Sequence, residues 1–249
     1  MPQSKAVLTI SQILSLFSLE RDEIGVREVS HALHILPSTV HRLLSSMATM
    51  GFLEKTESRR YRLGERLFEV GALYPLHFPL RKIVRPHAEE LAKFFSANAH
   101  MAIPSHIHLD KVITIDRIQN LQCNPFVHRI ALNVPIHCSG VGKAIFAFLE
   151  KGKREKILRS VKFERFTKHT MTDPTELRGE LKRVQKNGYA VDRGEEYENV
   201  WCVAAPLFQG GRLVGSLSVS DSKERITENN IPHIAKILKE KTTFISRQL

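Results

Sequence analysis

The sequence predicts an α+β protein in two parts, and three observations carry that reading. Apolar residues first recur at helical spacing and end in two short extended runs. Two prolines, Pro75 and Pro79, then interrupt the chain. Beyond them, strand-like alternation is interleaved with capped helices. With 249 residues and 42% hydrophobic content, the chain can bury the core of one large domain or two ordinary ones. No apolar run approaches the roughly 20 residues of a membrane span. The start "MPQSKAVLTISQ" lacks the charged, apolar and small-residue segments of a signal peptide. A cytoplasmic protein without a membrane partner is expected.

The first helix is read from Ile10, Ile13, Leu14 and Phe17, which fall at i, i+3, i+4 and i+7 of one stripe. "VREVSHALH" fits a second short helix. A third is bracketed by Pro37 in its first turn and Gly51 at its stop, with Val40, Leu43, Leu44 and Met47 as its buried face. "GFLEK" and "YRLG", joined by the charged turn "TESRR", read as a hairpin. Three short helices and a hairpin make a winged helix-turn-helix over residues 1–64. Leu67, Val70 and Leu73 continue a helical pattern, giving a linker helix over 65–80, and a further helix is expected from about Pro86 to Phe95.

The remainder, 81–249, reads as an α/β domain around an antiparallel sheet. "AHMAIPSHIHLD" and "KVITIDRI" alternate as two strands meeting at Asp110-Lys111, and "VPIHCSGVGKAIF" turns into a helix through Leu149. In "TDPTELRGELKRVQKNG", Asp173 is the N-cap, Pro174 opens the helix, Glu176 completes a capping box and Gly188 is the stop. "VWCVAAPLF" and "RLVGSLSVS" are two more strands, and a last helix runs from about Glu228.

The net charge is +11, but placement matters more than size. Residues 1–64 hold eight Lys and Arg against six acidic residues, whereas 131–170 hold nine against three. The excess therefore sits in "EKGKREKILRSVKFERFTKH", a solvated helix face or a contact for an acidic partner. Cys123, Cys138 and Cys202 are an odd, scattered set without C-x-x-C spacing, so neither a disulfide framework nor a zinc knuckle is indicated and reduced thiols are expected.

In a helix-turn-helix the second helix enters the major groove, and its early exposed residues meet bases and phosphates. With Val40, Leu43, Leu44 and Met47 inward, the outward positions are Ser38, Thr39, His41, Arg42 and Ser45. Arg42 can form the bidentate contact to guanine, and Arg59 and Arg60 are placed on the wing to follow phosphates.

Gly142-Lys143 invites comparison with a nucleotide loop. That motif needs glycine where His137 stands and a hydroxyl where Ala144 stands, so two of its fixed positions fail. A turn with free N–H groups at a helix N-terminus remains, suited to some anion or to nothing more than a tight turn.

Five stretches, in this order and spacing, resemble the IclR family of transcriptional regulators: "LPSTVHRLLSSMATMGFLEK", "YRLGERLFEVG", "VPIHCSGVGKAIFAFL", "NGYAVDRGEEYENVWCVAAPLF" and "LVGSLSVSDSKER". The resemblance covers nearly the whole chain. It implies a winged helix-turn-helix, a linker helix and a GAF-like effector domain, working as a homodimer or dimer of dimers on palindromic double-stranded operator DNA. It also implies an effector site at the backbone of Gly140 and Val141 with Asp192, Cys202, Ser218 and Ser220, suited to a small organic or aromatic acid. Two positions depart from the family pattern, Asn199 and Asp221 standing where glycine is usual. Both residue types tolerate φ > 0, so the backbone shape is expected to survive. Trp201, beside Cys202, falls on the opposite strand face and is not assigned to the site.

The competing reading is a metal-dependent or hydrolytic enzyme with an appended winged helix. It starts from His106, His108 and Asp110, which alternate onto one strand face, but a third ligand is not evident and "GVGKA" is no G-x-S-x-G elbow. A DNA-associated adaptor without a ligand is the other alternative. The reading adopted is a ligand-responsive regulator, a repressor, with no catalytic residues, metal or cofactor.

Overall fold

The computed structural model describes residues 4–120 and 133–249, which fall into two compact units, Met1–His77 and Phe78–Leu249. Cys123 lies outside the described residues; Cys138 and Cys202 are both free and buried.

The first unit holds α1 (Lys5–Leu14), β1 (Glu23–Ile24), α2 (Val26–Leu33), α3 (Pro37–Thr49), β2 (Leu53–Lys55), β3 (Tyr61–Leu63) and α4 (Glu65–His77). Ile13, Val29, Val40, Leu44 and Met47 from the three helices close on Leu53 and Tyr61 of the hairpin to form one core. Phe17, expected on the α1 stripe, lies past the helix end yet still packs on that core. Pro37 opens α3, and Gly51 supplies the left-handed φ of 77° after it. A third strand, β1, pairs with β3 to give the order β1-β3-β2; two residues are too few to show a period of two in a sequence. Pro75 does not end α4, because it falls in the last turn, where one lost backbone bond is tolerated.

The second unit runs α5 (Pro79–Phe95), β4 (Asn98–Pro104), β5 (Lys111–Ile118), β6 (Asn133–Pro135), α6 (Gly140–Phe148), α7 (Lys151–Ser160), α8 (Pro174–Asn187), β7 (Ala190–Arg193), β8 (Val200–Gln209), β9 (Arg212–Ser222) and α9 (Ile231–Gln248). Its antiparallel sheet has the order β6-β5-β4-β9-β8-β7. On one face, α5 and α9 pack on Met101, Val203, Leu217 and Val219. On the other, α6 and α8 pack on Ala102, Cys202 and Ala204. The strict alternation within β8, Cys202 and Ala204 one way and Val203 and Ala205 the other, places two helical layers around one sheet.

Two expected elements move. The helix placed near Pro86 starts at Pro79, where proline's missing N–H would be unpaired anyway, and takes Pro86 inside. Burial of Val84, Ala88 and Leu91 against the sheet outweighs the one backbone bond lost. The first strand ends at Pro104, so His106 and His108 do not share a strand face; they are exposed in a turn, where Ser105 Oγ accepts from His108 N at 2.9 Å. Among the described residues, no cluster of three or more His, Cys, Asp or Glu could hold a metal ion.

Candidate functional site

In the first unit, α3 presents Ser38, His41 and Arg42 to solvent, with Thr39 half-buried at the edge. Ser45 turns inward and lies 3.4 Å from the Tyr61 hydroxyl, so it belongs to the helix–hairpin junction. Arg59 stands exposed in the β2–β3 turn with φ 60°. Arg60, expected to follow phosphates, is engaged elsewhere: its guanidinium donates to Glu28 at 2.8 and 3.0 Å and lies 3.6 Å from Glu23. That bonding, with a second bond from the Gly25 amide, holds the Glu28 carboxyl below its usual range. The wing is therefore tied to α2 through Arg60, and Arg59 is the wing arginine left outward.

In the second unit, α6 begins over the sheet. Ser139 caps it, accepting from Gly142 N at 3.1 Å and donating to Pro135 O at 2.9 Å. The approach is so close that only glycine fits at two positions. A Cβ on Gly140 would stand 2.7 Å from Cys202 Sγ, and one on Gly142 would stand 2.8 Å from Ile136 backbone. Ser216 Oγ donates to Val141 O at 3.1 Å, which fastens the first turn to β9.

Beneath this turn, register brings the other predicted residues together. Asp192 pairs with Cys202, and Cys202 with Ser220, in one row across three strands; Ser218 pairs with Ala204 in the next. Cross-strand partners share a face, so these side chains lie on the α6 side of the sheet, and all are buried. Trp201 packs with the opposite core, as its alternation requires. Neither Asn199 nor Asp221 uses a left-handed backbone; Asp221 lies in β9, and its carboxylate is 3.2 Å from Arg225 Nε. The departures from glycine therefore need no special conformation.

Sequence reasoning left Lys143 and Glu195 without roles. Lys143 is wholly buried, donates to Val191 O at 2.6 Å and to the Glu195 carboxylate, and lies 3.7 Å from Glu180. Glu195 N in turn donates to Asp192 Oδ1 at 2.7 Å. The available signal was a lone charge in "GVGKAIFAF", a helix otherwise apolar on every face. His100 was missed as well; it is buried on β4, with Nδ1 3.3 Å from Ser220 Oγ. The basic segment and the residue after it supply part of the site's support: Thr167 and Thr170 donate to the carbonyls of Gly194 and Glu195, each at 2.6 Å.

Burial pushes the Asp192 carboxyl well above the carboxylate range, and nearby Glu195 adds to it. The Cys202 thiol is pushed up to about 12 by burial and then by Asp192, so at neutral pH it is a thiol and not a nucleophile. Burial raises the Cys138 thiol too. Glu196, in the turn after β7, is raised to about 7 by burial. This arrangement suits recognition of a polar molecule: hydroxyls, a carboxyl and a thiol on a rigid floor beneath a glycine-built helix start.

A winged helix with an open reading face, in one chain with an α/β unit holding a sheltered polar floor, defines a DNA-binding sensor protein. Residues 73–247 match the bacterial transcriptional regulator IclR C-terminal family, and residues 10–57 match the IclR helix-turn-helix domain. The chain belongs to the IclR family of transcriptional regulators, and is a ligand-responsive DNA-binding regulator, not an enzyme. It is 29% identical over 248 residues to the HTH-type transcriptional regulator KdgR of Dickeya chrysanthemi, covering 97% of this chain and 80% of that protein. The Thermotoga maritima IclR crystal structure has 27% identity and a TM-score of 0.70, covering 98% of this chain and 97% of that one. An IclR homolog from Microbacterium hydrocarbonoxydans, solved with 4-hydroxybenzoate, has the same fold at 23% identity and a TM-score of 0.78, covering 98% and 100%.

Two outcomes follow. Lys143→Met strands a buried carboxylate and should cost about 3–5 kcal/mol in denaturant unfolding, with Glu195→Gln restoring most of it; a loss under about 1 kcal/mol would show the ion pair to be dispensable. Glu196 has an ordinary pKa of 4.5 and a folded value of about 7, so its contribution to stability is full below pH 4.5 and is lost as pH rises through 7. Glu196→Gln keeps the neutral form, so its stability should gain on that of the unsubstituted protein across this window, by up to about 3 kcal/mol. Parallel pH–stability curves would contradict the assignment.

Proposed function

We propose that the protein is a cytoplasmic repressor that grips palindromic operator DNA as a homodimer or dimer of dimers and responds to a small organic acid. The observation that carries the reading is the buried polar row Asp192–Cys202–Ser220, with Ser218 beside it, under the glycine-built start of α6. Gly140 and Val141 would cover the effector, Ser218 and Ser220 would bond its oxygens, and Asp192 would take a hydroxyl or hold a water. The homologous fold that holds 4-hydroxybenzoate supports an acid of this size. Effector binding then biases α4 and resets the spacing of two winged helices on the operator.

The dimer is supported by α4. It buries none of its residues, and Phe68 is 80% exposed, with Val70, Leu73, Tyr74 and Leu76 also exposed. Such an apolar helix surface is suited to a second copy of itself. On DNA, Ser38, His41 and Arg42 would meet bases and phosphates and Arg59 the neighbouring backbone, while Thr39 would contribute at the rim.

Arg42→Ala should weaken operator binding by about 1–3 kcal/mol and relax base preference at one position, read by electrophoretic shift across operator variants. A uniform loss over all sequences would make Arg42 a phosphate contact instead. Alanine at Ser218 and Ser220 should leave operator binding intact and abolish its response to carboxylic acids. If the response survived the double substitution, the effector would bind elsewhere.

A further inference from the structure

The polar row beneath α6 continues beyond Ser218. Ser218 pairs with His100 on β4, and His100 pairs with Arg117 on β5. Shared face in register puts Arg117 on the same side of the sheet as His100 and Ser218. The preceding residue, Asp116, is on the opposite side, where it binds Arg81 Nε at 3.0 Å and Arg85 Nη1 at 2.8 Å. Those two arginines are neutralised; among the described residues no carboxylate pairs with Arg117.

The Nε and Nη2 of Arg117 are shielded from water, and no hydrogen bond reaches either. Arg117 is half-buried, and burial of the Nε and Nη2 side disfavours the charged guanidinium; arginine keeps its proton in proteins, so an anion on that side would offset the cost. On this face Thr114 Oγ1, whose residue pairs with Ala102, is likewise buried without a hydrogen bond, and Ser218 Oγ has the Cys202 thiol as its neighbour. At the far end of the row the described cation, Lys143, is already engaged by Glu195 and Val191.

We infer that Arg117 is the carboxylate anchor of the effector site and selects a hydroxy monocarboxylate. Its planar fork takes both carboxylate oxygens, and the hydroxyls of Ser218 and Thr114 bond the carboxylate and a nearby hydroxyl of the same molecule. Strands lie about 4.8 Å apart, so the Arg117 and Ser218 backbones are roughly 10 Å apart and the arginine side chain spans much of that distance. The effector's hydroxyl therefore sits close to its carboxylate. The far end, where Lys143 is already paired with Glu195, disfavours a second carboxylate. This assignment rests on the sheet face under α6 being the effector site.

The test is thermal unfolding of the full-length protein with lactate and glycerate, each paired with its amide at matched ionic strength, up to tens of millimolar. The acids should raise Tm and the amides should not. Arg117→Met should raise the apparent Kd for the acids about 10- to 100-fold. Without ligand, that variant should melt no lower than the unsubstituted protein, because it removes a half-buried charge with no carboxylate partner among the described residues; Arg117→Lys should bind with intermediate strength. A ligand-free Arg117→Met protein that melts lower would make Arg117 a structural residue. No acid-specific stabilisation, or a response kept in Arg117→Met, would overturn the assignment as well. If acids and amides stabilise equally and alanine at Ser218 and Ser220 abolishes both effects, the pocket stands and the carboxylate anchor falls. If acids act through Arg117 while that double substitution changes nothing, the pocket itself is misplaced.

Discussion

The closeness of α6 to the sheet governs the second unit. At Gly140 and Gly142 the helix backbone touches Cys202 and the Ile136 main chain, a separation at which no Cβ fits. That approach brings Val141 within reach of Ser216, sets Lys143 against the β7 carbonyl of Val191, and covers a sheet face that would otherwise expose its serines. Lys143 then fixes the turn after β7 through Glu195, whose amide orients Asp192. One packing distance thus determines the depth, the polarity and the rigidity of the floor.

The two sheet faces divide labour. One is filled by Met101, Val203, Leu217, Val219 and the apolar stripes of α5 and α9, and supplies cohesion. The other has small residues, Ala102, Cys202, Ala204 and the serines, wherever α6 comes near. The exchange of bulk for polarity on that face lowers the apolar area buried there, and the α8 residues Leu177, Leu181 and Val184 restore part of it further along. Polar groups can be kept at such a place because the rest of the unit supplies the stability.

Much of this was legible in the chain. The helical spacing around Val40 and Leu44, Asp173 at a cap that accepts from Thr175 N and Glu176 N, and the alternation in β8 all mark local physics that the fold leaves intact. What local pattern does not carry is register and competition. Nothing in "KVITIDRI" says that Arg117 will face Ser218 across two strands while Asp116 faces away. Nothing in "TESRRYRLG" says that Arg60 will be captured by Glu28, which lies on α2. Pro86 sits inside a helix because a proline's local preference yields when a whole helix face is buried, whereas Pro79 keeps its preference as the residue that opens that helix. His106 and His108 show the converse, an alternation continued past Pro104, which ends the strand.

Trp201 is the only tryptophan in the chain, and it lies on β8 back to back with the polar floor, half-buried and paired across the strands with Arg193 and Asp221. Its indole emission belongs to the sensing unit alone, with no contribution from the winged helix. Because it touches the sheet from behind, it can report strain passed through a single strand without obstructing the side where a small molecule would sit. The molecule thus carries a built-in optical gauge of its own sensing sheet, readable without a label.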